Sequence, residues 1–133
     1  ITVLETQFND DDANKASAQV NAVVARAPDL AGIFGANLFS AIGSADGVKA
    51  MGKTGEIKVV AFDAPTRIVD DLKSGLVDLA IAQHPAEIGY MGVMVAFGHV
   101  TGNPVPVSIG TGFTVMTADN IDDPNISKYV YSD

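Results

Sequence analysis

The sequence contains no cysteine, so it forms no disulfide, no thiolate nucleophile and no cysteine-ligated zinc site. Positive charge is scarce. Eight Lys and Arg residues stand against sixteen Asp and Glu, for a formal net charge of −8. Phosphate recognition needs a basic face, so this balance argues against a nucleic-acid partner and against adhesion to an anionic membrane. No apolar run approaches the ~20 residues that a membrane-spanning helix requires. There are only two histidines, His84 and His99, and they do not form the clustered set a metal site wants. No Gly-x-Ser-x-Gly elbow is present. Gly52 to Gly55 lacks Walker spacing. Gly110-Thr111-Gly112 has neither a third glycine nor a helix after it, so it is a poor dinucleotide signal. The chain has no initiator methionine or leader and begins inside an apparent strand, Ile1-Thr2-Val3-Leu4. The expectation is a fragment.

What is present is an ordinary globular composition. Of 133 residues, 47% are hydrophobic and 18% charged, enough for about one domain with a sizeable core. Ile1 to Gln7 reads as a first strand. Asn9 to Asp12 supply side-chain oxygens and negative charge to start a helix. Cation binding is the rival reading of that acidic run, but no glycine turn with spaced ligands follows. Ala16, Val20, Val23, Val24 and Ala27 lie at helical spacing, and Pro28 stops the run. The second strand is Leu30–Phe34, followed by a helix from about Phe39 to Met51. The third is Ile57–Phe62, followed by a helix opened by Pro65 and ended by Gly75. The fourth is Leu79–Ala82, followed by a helix from Pro85 with Ile88, Met91, Val95 and Ala96 as its packing face. Alternating strands and helices predict an α/β fold, three-layered, with a mainly parallel sheet and helices on both faces. After Pro104 the alternation breaks. Strand-like pieces lie between Val105 and Thr117, then a loop and a short terminal helix, which suits a segment that joins another domain.

Three strands each run out at a polar residue: Asn37, Asp63 and Gln83. In open α/β sheets ligands bind beyond the carboxyl ends of the strands. Amides offer a donor and an acceptor, and a carboxylate two acceptors, a set suited to the hydroxyls of a neutral polyol. The plain alternative is that each caps the helix behind it; one residue can do both. Phe39 and Phe62 are candidates to stack on a sugar face or to join the core. His84 neighbours Gln83 and is placed to approach Asp63 across the strand edge; a catalytic role would need an activated Ser or Cys beside them, and a solvated loop or ligand-rim position is the favoured reading. No catalytic residue, cofactor or metal ligand is assigned.

Gly35-Ala36-Asn37, Val60-Ala61-Phe62-Asp63-Ala64, Ile81-Ala82-Gln83-His84-Pro85 and Ile88 to Val93, in that order, together with Gly110 to Val115 and Thr117 to Ile121, carry a resemblance. The chain resembles the C-terminal portion of type I periplasmic binding proteins, the ribose-binding-protein-like components of bacterial ABC sugar importers. The resemblance implies a two-lobed periplasmic protein that closes on a monosaccharide or polyol and delivers it to ABC permease membrane subunits, with no chemistry performed. It implies that Asn37, Asp63 and Gln83 hydrogen-bond the sugar. It divides the chain into an incomplete C-terminal lobe, 1–104, and a crossover segment with tail, 105–133. It also leaves faces uncovered, which predicts self-association or an ordered proteolytic fragment. Two other readings share parts of the pattern: the effector-binding domain of a LacI-type transcriptional regulator, and a small flavodoxin-like α/β enzyme.

Overall fold

A computed structural model describes residues 1–131. Its elements are α1 (Ala13–Arg26), β1 (Gly32–Gly35), α2 (Leu38–Ala50), β2 (Lys58–Phe62), α3 (Thr66–Lys73), β3 (Leu79–Gln83), α4 (Pro85–Val100), β4 (Phe113–Met116) and α5 (Pro124–Ser127). The strands form one sheet in the order β1-β2-β3-β4. β1, β2 and β3 run parallel, and β4 lies antiparallel to β3. The α/β class and the mainly parallel sheet are as the alternation predicts.

The helix starts follow local chemistry. Asp12 caps α1, its carboxylate accepting from Asn14 N at 2.8 Å and Lys15 N at 3.1 Å, so of the acidic run it is Asp12 that serves as the cap. Pro65 and Pro85 stand at the starts of α3 and α4, where a missing N–H costs nothing. Gly75, just beyond α3, has φ +74, the left-handed turn that glycine reaches without strain.

The sheet is covered on one face. The register puts Val59, Ala61, Ala80, Ala82 and Met116 on the same side, and all five are fully buried. Against them pack Ala41, Ala45 and Val48 of α2 and Ile68 and Leu72 of α3, with Val20 and Val24 of α1 in the same core. Strand residues alternate between faces, and the other face carries Phe34, Val60, Phe62, Leu79, Ile81, Phe113 and Val115, none of them buried. The expected helix layer over that second face is not found among the described residues. The reason lies in α4. It was expected to pack through Ile88, Met91, Val95 and Ala96, yet it has no buried residue.

Two further expectations change. Ile1 to Gln7 forms no strand; Ile1, Val3 and Leu4 are exposed, and among the described residues no strand pairs with the run to share ladder hydrogen bonds. Conversely, part of the segment expected to leave the fold stays in it. Phe113–Met116 pairs with β3 through Gln83↔Phe113, Ala82↔Thr114, Ile81↔Val115 and Ala80↔Met116. Residues 101–112 have no regular structure apart from a turn.

Candidate functional site

The carboxyl ends of β1, β2 and β3 lie side by side, because parallel pairing sets Gly35 beside Ala61 and Phe62 beside Ile81. Asn37, Asp63 and Gln83 follow these positions along one sheet edge. Gln83 Nε2 donates to Asp63 Oδ1 at 2.7 Å, so two of the three sequence-predicted residues touch. Asn37 is the N-cap of α2, its Oδ1 accepting from Ser40 N at 2.9 Å. Its Nδ2 donates to Asp11 Oδ1.

Helix capping therefore accounts for Asn37 but not for the other two. The N-caps of α3 and α4 are Pro65 and His84, and neither makes a side-chain capping bond. Asp63 also has φ +79, a conformation uncommon for a residue with a side chain and held only where its surroundings impose it. Asp63 is thus a half-buried carboxylate on a left-handed backbone, bonded to an amide and to no helix end.

Asp11 also joins this edge, although the sequence marks the run it belongs to only as helix-start chemistry. It has φ +59, and that turn brings its carboxylate to Asn37, 26 residues along the chain. Beneath it Asn9 is buried; its Oδ1 accepts from Ser40 Oγ at 2.9 Å and its Nδ2 donates to Asp12 O at 3.0 Å. The edge thus presents two carboxylates and two amides. Lys15, the cation nearest in sequence to Asp11, is paired with Asp10. Phe39, in the first turn of α2, is exposed and outside the core.

His84 does not reach toward Asp63. Its ring nitrogens meet Glu87 and Thr114, and its ring stacks on Tyr129. His99 is exposed in the last turn of α4. Among the described residues no three metal-binding side chains converge, and no helix is long and apolar enough to cross a membrane.

Residues 1–104 match the family model described as a periplasmic binding protein domain. The chain belongs to that family. Among solved structures it is similar to an ABC transporter solute-binding protein from Agrobacterium vitis bound with α-D-tagatopyranose, at 64% identity and TM-score 0.93, over 99% of this chain and 44% of that one. A second A. vitis solute-binding protein, with bound D-fucose, aligns at 29% identity and TM-score 0.87 over 98% of this chain and 45% of that one. Among curated proteins, the ribose import binding protein RbsB of Haemophilus influenzae is 32% identical over 115 residues, 86% of this chain and 39% of that protein. The periplasmic-binding-protein chain described here thus spans less than half the length of these relatives.

Proposed function

We propose that the chain is part of the substrate-binding component of an ABC-type sugar importer, and that Asn37, Asp63 and Gln83 hydrogen-bond the hydroxyls of a monosaccharide or polyol. The observation that carries this reading is the Asp63–Gln83 pair: a carboxylate at φ +79 and an amide, joined at 2.7 Å at the strand ends and capping no helix. Each group keeps further donor or acceptor capacity for a hydroxyl, which both gives and takes a hydrogen bond. That relatives of the same fold hold D-tagatose and D-fucose supports a neutral sugar. Binding without bond making, a periplasmic location and delivery to permease membrane subunits belong to the same reading.

The reading includes a second lobe. The sequence put the departure from this lobe after residue 104. The absence of any buried residue in α4 favours a departure at Pro85 and a return at Phe113, with residues 85–112 covered by the other lobe. Without that lobe the exposed apolar side chains of α4 favour self-association. No observation favours the regulator or the flavodoxin-like enzyme over the transport reading.

The test is a chimera in which this chain replaces the matching segment of the A. vitis tagatose-bound protein. It is expected to bind D-tagatose or another neutral hexose or pentose by calorimetry. Asp63→Ala is expected to weaken that binding about 10- to 100-fold, the loss of one or two hydrogen bonds to a charged acceptor. A folded chimera that binds no sugar while its parent does, or an Asp63→Ala variant with unchanged affinity, overturns the proposal.

A further inference from the structure

Residues 85–112 are attached to the sheet at two adjacent points. β3 ends at Gln83 and α4 begins at Pro85; β4 begins at Phe113, which is the register partner of Gln83. Two neighbouring attachments leave one easy motion, a rotation of the whole segment about the line that joins them. α4 buries nothing that would stop such a rotation.

His84 stands where the two attachments meet. Its Nε2 lies 2.8 Å from Thr114 Oγ1 on the returning strand, and its Nδ1 3.1 Å from Glu87 Oε2 in the first turn of α4. A neutral ring protonated on Nδ1 satisfies both, donating to the carboxylate and accepting from the hydroxyl. The ring stacks on Tyr129 of the tail, with centroids 3.8 Å apart and planes within 8°. Gly112, the last residue before β4, has φ +75, and a Cβ there would stand 3.2 Å from His84 Nδ1; glycine lets the returning backbone lie against the imidazole. The His84 side chain is 12% exposed, unlike that of a solvated loop histidine.

The tail is itself fixed to the neighbouring strand. Ala64 N donates to the Tyr131 hydroxyl at 3.2 Å, and Pro65 bridges to Tyr131. The residues that follow Asp63 and Gln83 are therefore each held by a tail tyrosine, Tyr131 and Tyr129.

We propose that His84 is a positioning residue, a strut between α4, β4 and the C-terminal tail that fixes the direction in which residues 85–112 leave the sheet. Small residues or loop positions that absorb backbone rotation make hinges; a ring hydrogen-bonded on both nitrogens and stacked on one face does the opposite. The inference stands on these contacts and does not depend on the sugar reading.

The experiment measures amide relaxation and residual dipolar couplings on this 133-residue chain. In the unaltered protein α4 is expected to share the alignment of the sheet, with order parameters of about 0.85 in both. In His84→Ala the α4 amides are expected to fall toward about 0.6 and to lose the common alignment, while the sheet amides keep theirs. Tyr129→Leu is expected to loosen α4 in the same way and Tyr129→Phe, which keeps the stacked ring, to restore it. A residue that served stability alone would lower the melting temperature without separating the two alignments. If His84→Ala fails to fold, Thr114→Val and the Tyr129 pair carry the test. An α4 that stays aligned in His84→Ala and Tyr129→Leu, or that is already uncoupled in the unaltered protein, overturns the proposal.

Discussion

α2 and α4 are both apolar helices with glycines at short spacing, and they have opposite fates. α2 buries Ala41, Gly43, Ser44, Ala45, Gly47 and Val48; α4, three residues longer, buries none. In α2 a Cβ on Gly43 would stand 2.3 Å from Ala13 O, and one on Gly47 2.8 Å from Val20 Cβ, so those glycines let α1 approach closely. In α4 a Cβ on Gly89 or Gly92 would meet nothing within 4 Å. The difference teaches that an apolar helix records only that a partner is needed. Whether the partner is present depends on the rest of the structure. α2 has its partners in α1 and the sheet; α4 meets little more than Val105 at Gly98 and His84 at Glu87 and buries none of its residues, and its Tyr90, Val93, Phe97 and Val100 are exposed.

The largest effect that tests this contrast is truncation on each side of it. Leu72 is fully buried and Phe97 is 63% exposed. Leu72→Ala leaves a cavity and is expected to cost about 2–5 kcal/mol in urea unfolding of this chain. Phe97→Ala removes a larger side chain and is expected to change stability by less than about 0.5 kcal/mol. A comparable loss at Phe97 would mean that α4 is packed in solution, and the contrast would fail.

A finer version uses the glycines. Gly43→Ala drives a methyl into the backbone of α1 and is expected to cost about 1–3 kcal/mol. Gly92→Ala has open space and gains helix propensity, so it is expected to be neutral or to stabilise by up to about 1 kcal/mol. In a protein whose second lobe covers α4, the sign at Gly92 is expected to reverse, because the methyl would then meet a neighbour.

The same contrast explains what was legible in the sequence. Elements bounded by strong local chemistry were read to within a residue or two: α2 behind Asn37, α3 between Pro65 and Gly75, α4 behind Pro85, and β2 and β3 as short apolar runs. The sheet edge followed from them, since parallel strands with helical crossovers bring successive strand ends together, and the Asp63–Gln83 contact lies on that edge. What local chemistry does not encode was misread. Ile1 to Gln7 has the composition of a strand and no pairing strand among the described residues. β4 has the same kind of composition and found β3, in an antiparallel arrangement that no alternation rule announces. Asp11 reaches Asn37 only because its backbone turns to φ +59, and His84 meets Tyr129 only once the tail has folded back. For β4, Asp11 and His84 the missing information was a partner distant in the chain.

The smallest expected effect concerns the tie between α3 and the tail. Lys73 Nζ lies 2.8 Å from Asp122 Oδ1, and that hydrogen bond, with the attraction of the same carboxylate, raises the Lys73 ammonium above its ordinary value of 10.5. A cation whose folded pKa is raised holds its proton more tightly in the folded state than in the unfolded one. Its contribution is therefore complete below about 10.5 and is lost as pH climbs through the folded value. Both partners are largely in solvent, so the contribution is small and falls further with salt. Lys73→Met is expected to lower the urea midpoint slightly at pH 7 in low salt, and the gap to the unaltered protein is expected to close at strongly alkaline pH. Hydrogen exchange gives the informative readout. Release of this tie is expected to speed exchange around Asn120 and Ile121 and to leave α4 unchanged, because α3 and α4 share no ion pair among the described residues. If α4 exchange also rises, the tail carries the loss through Tyr129 to His84, and the packed and unpacked regions are mechanically one.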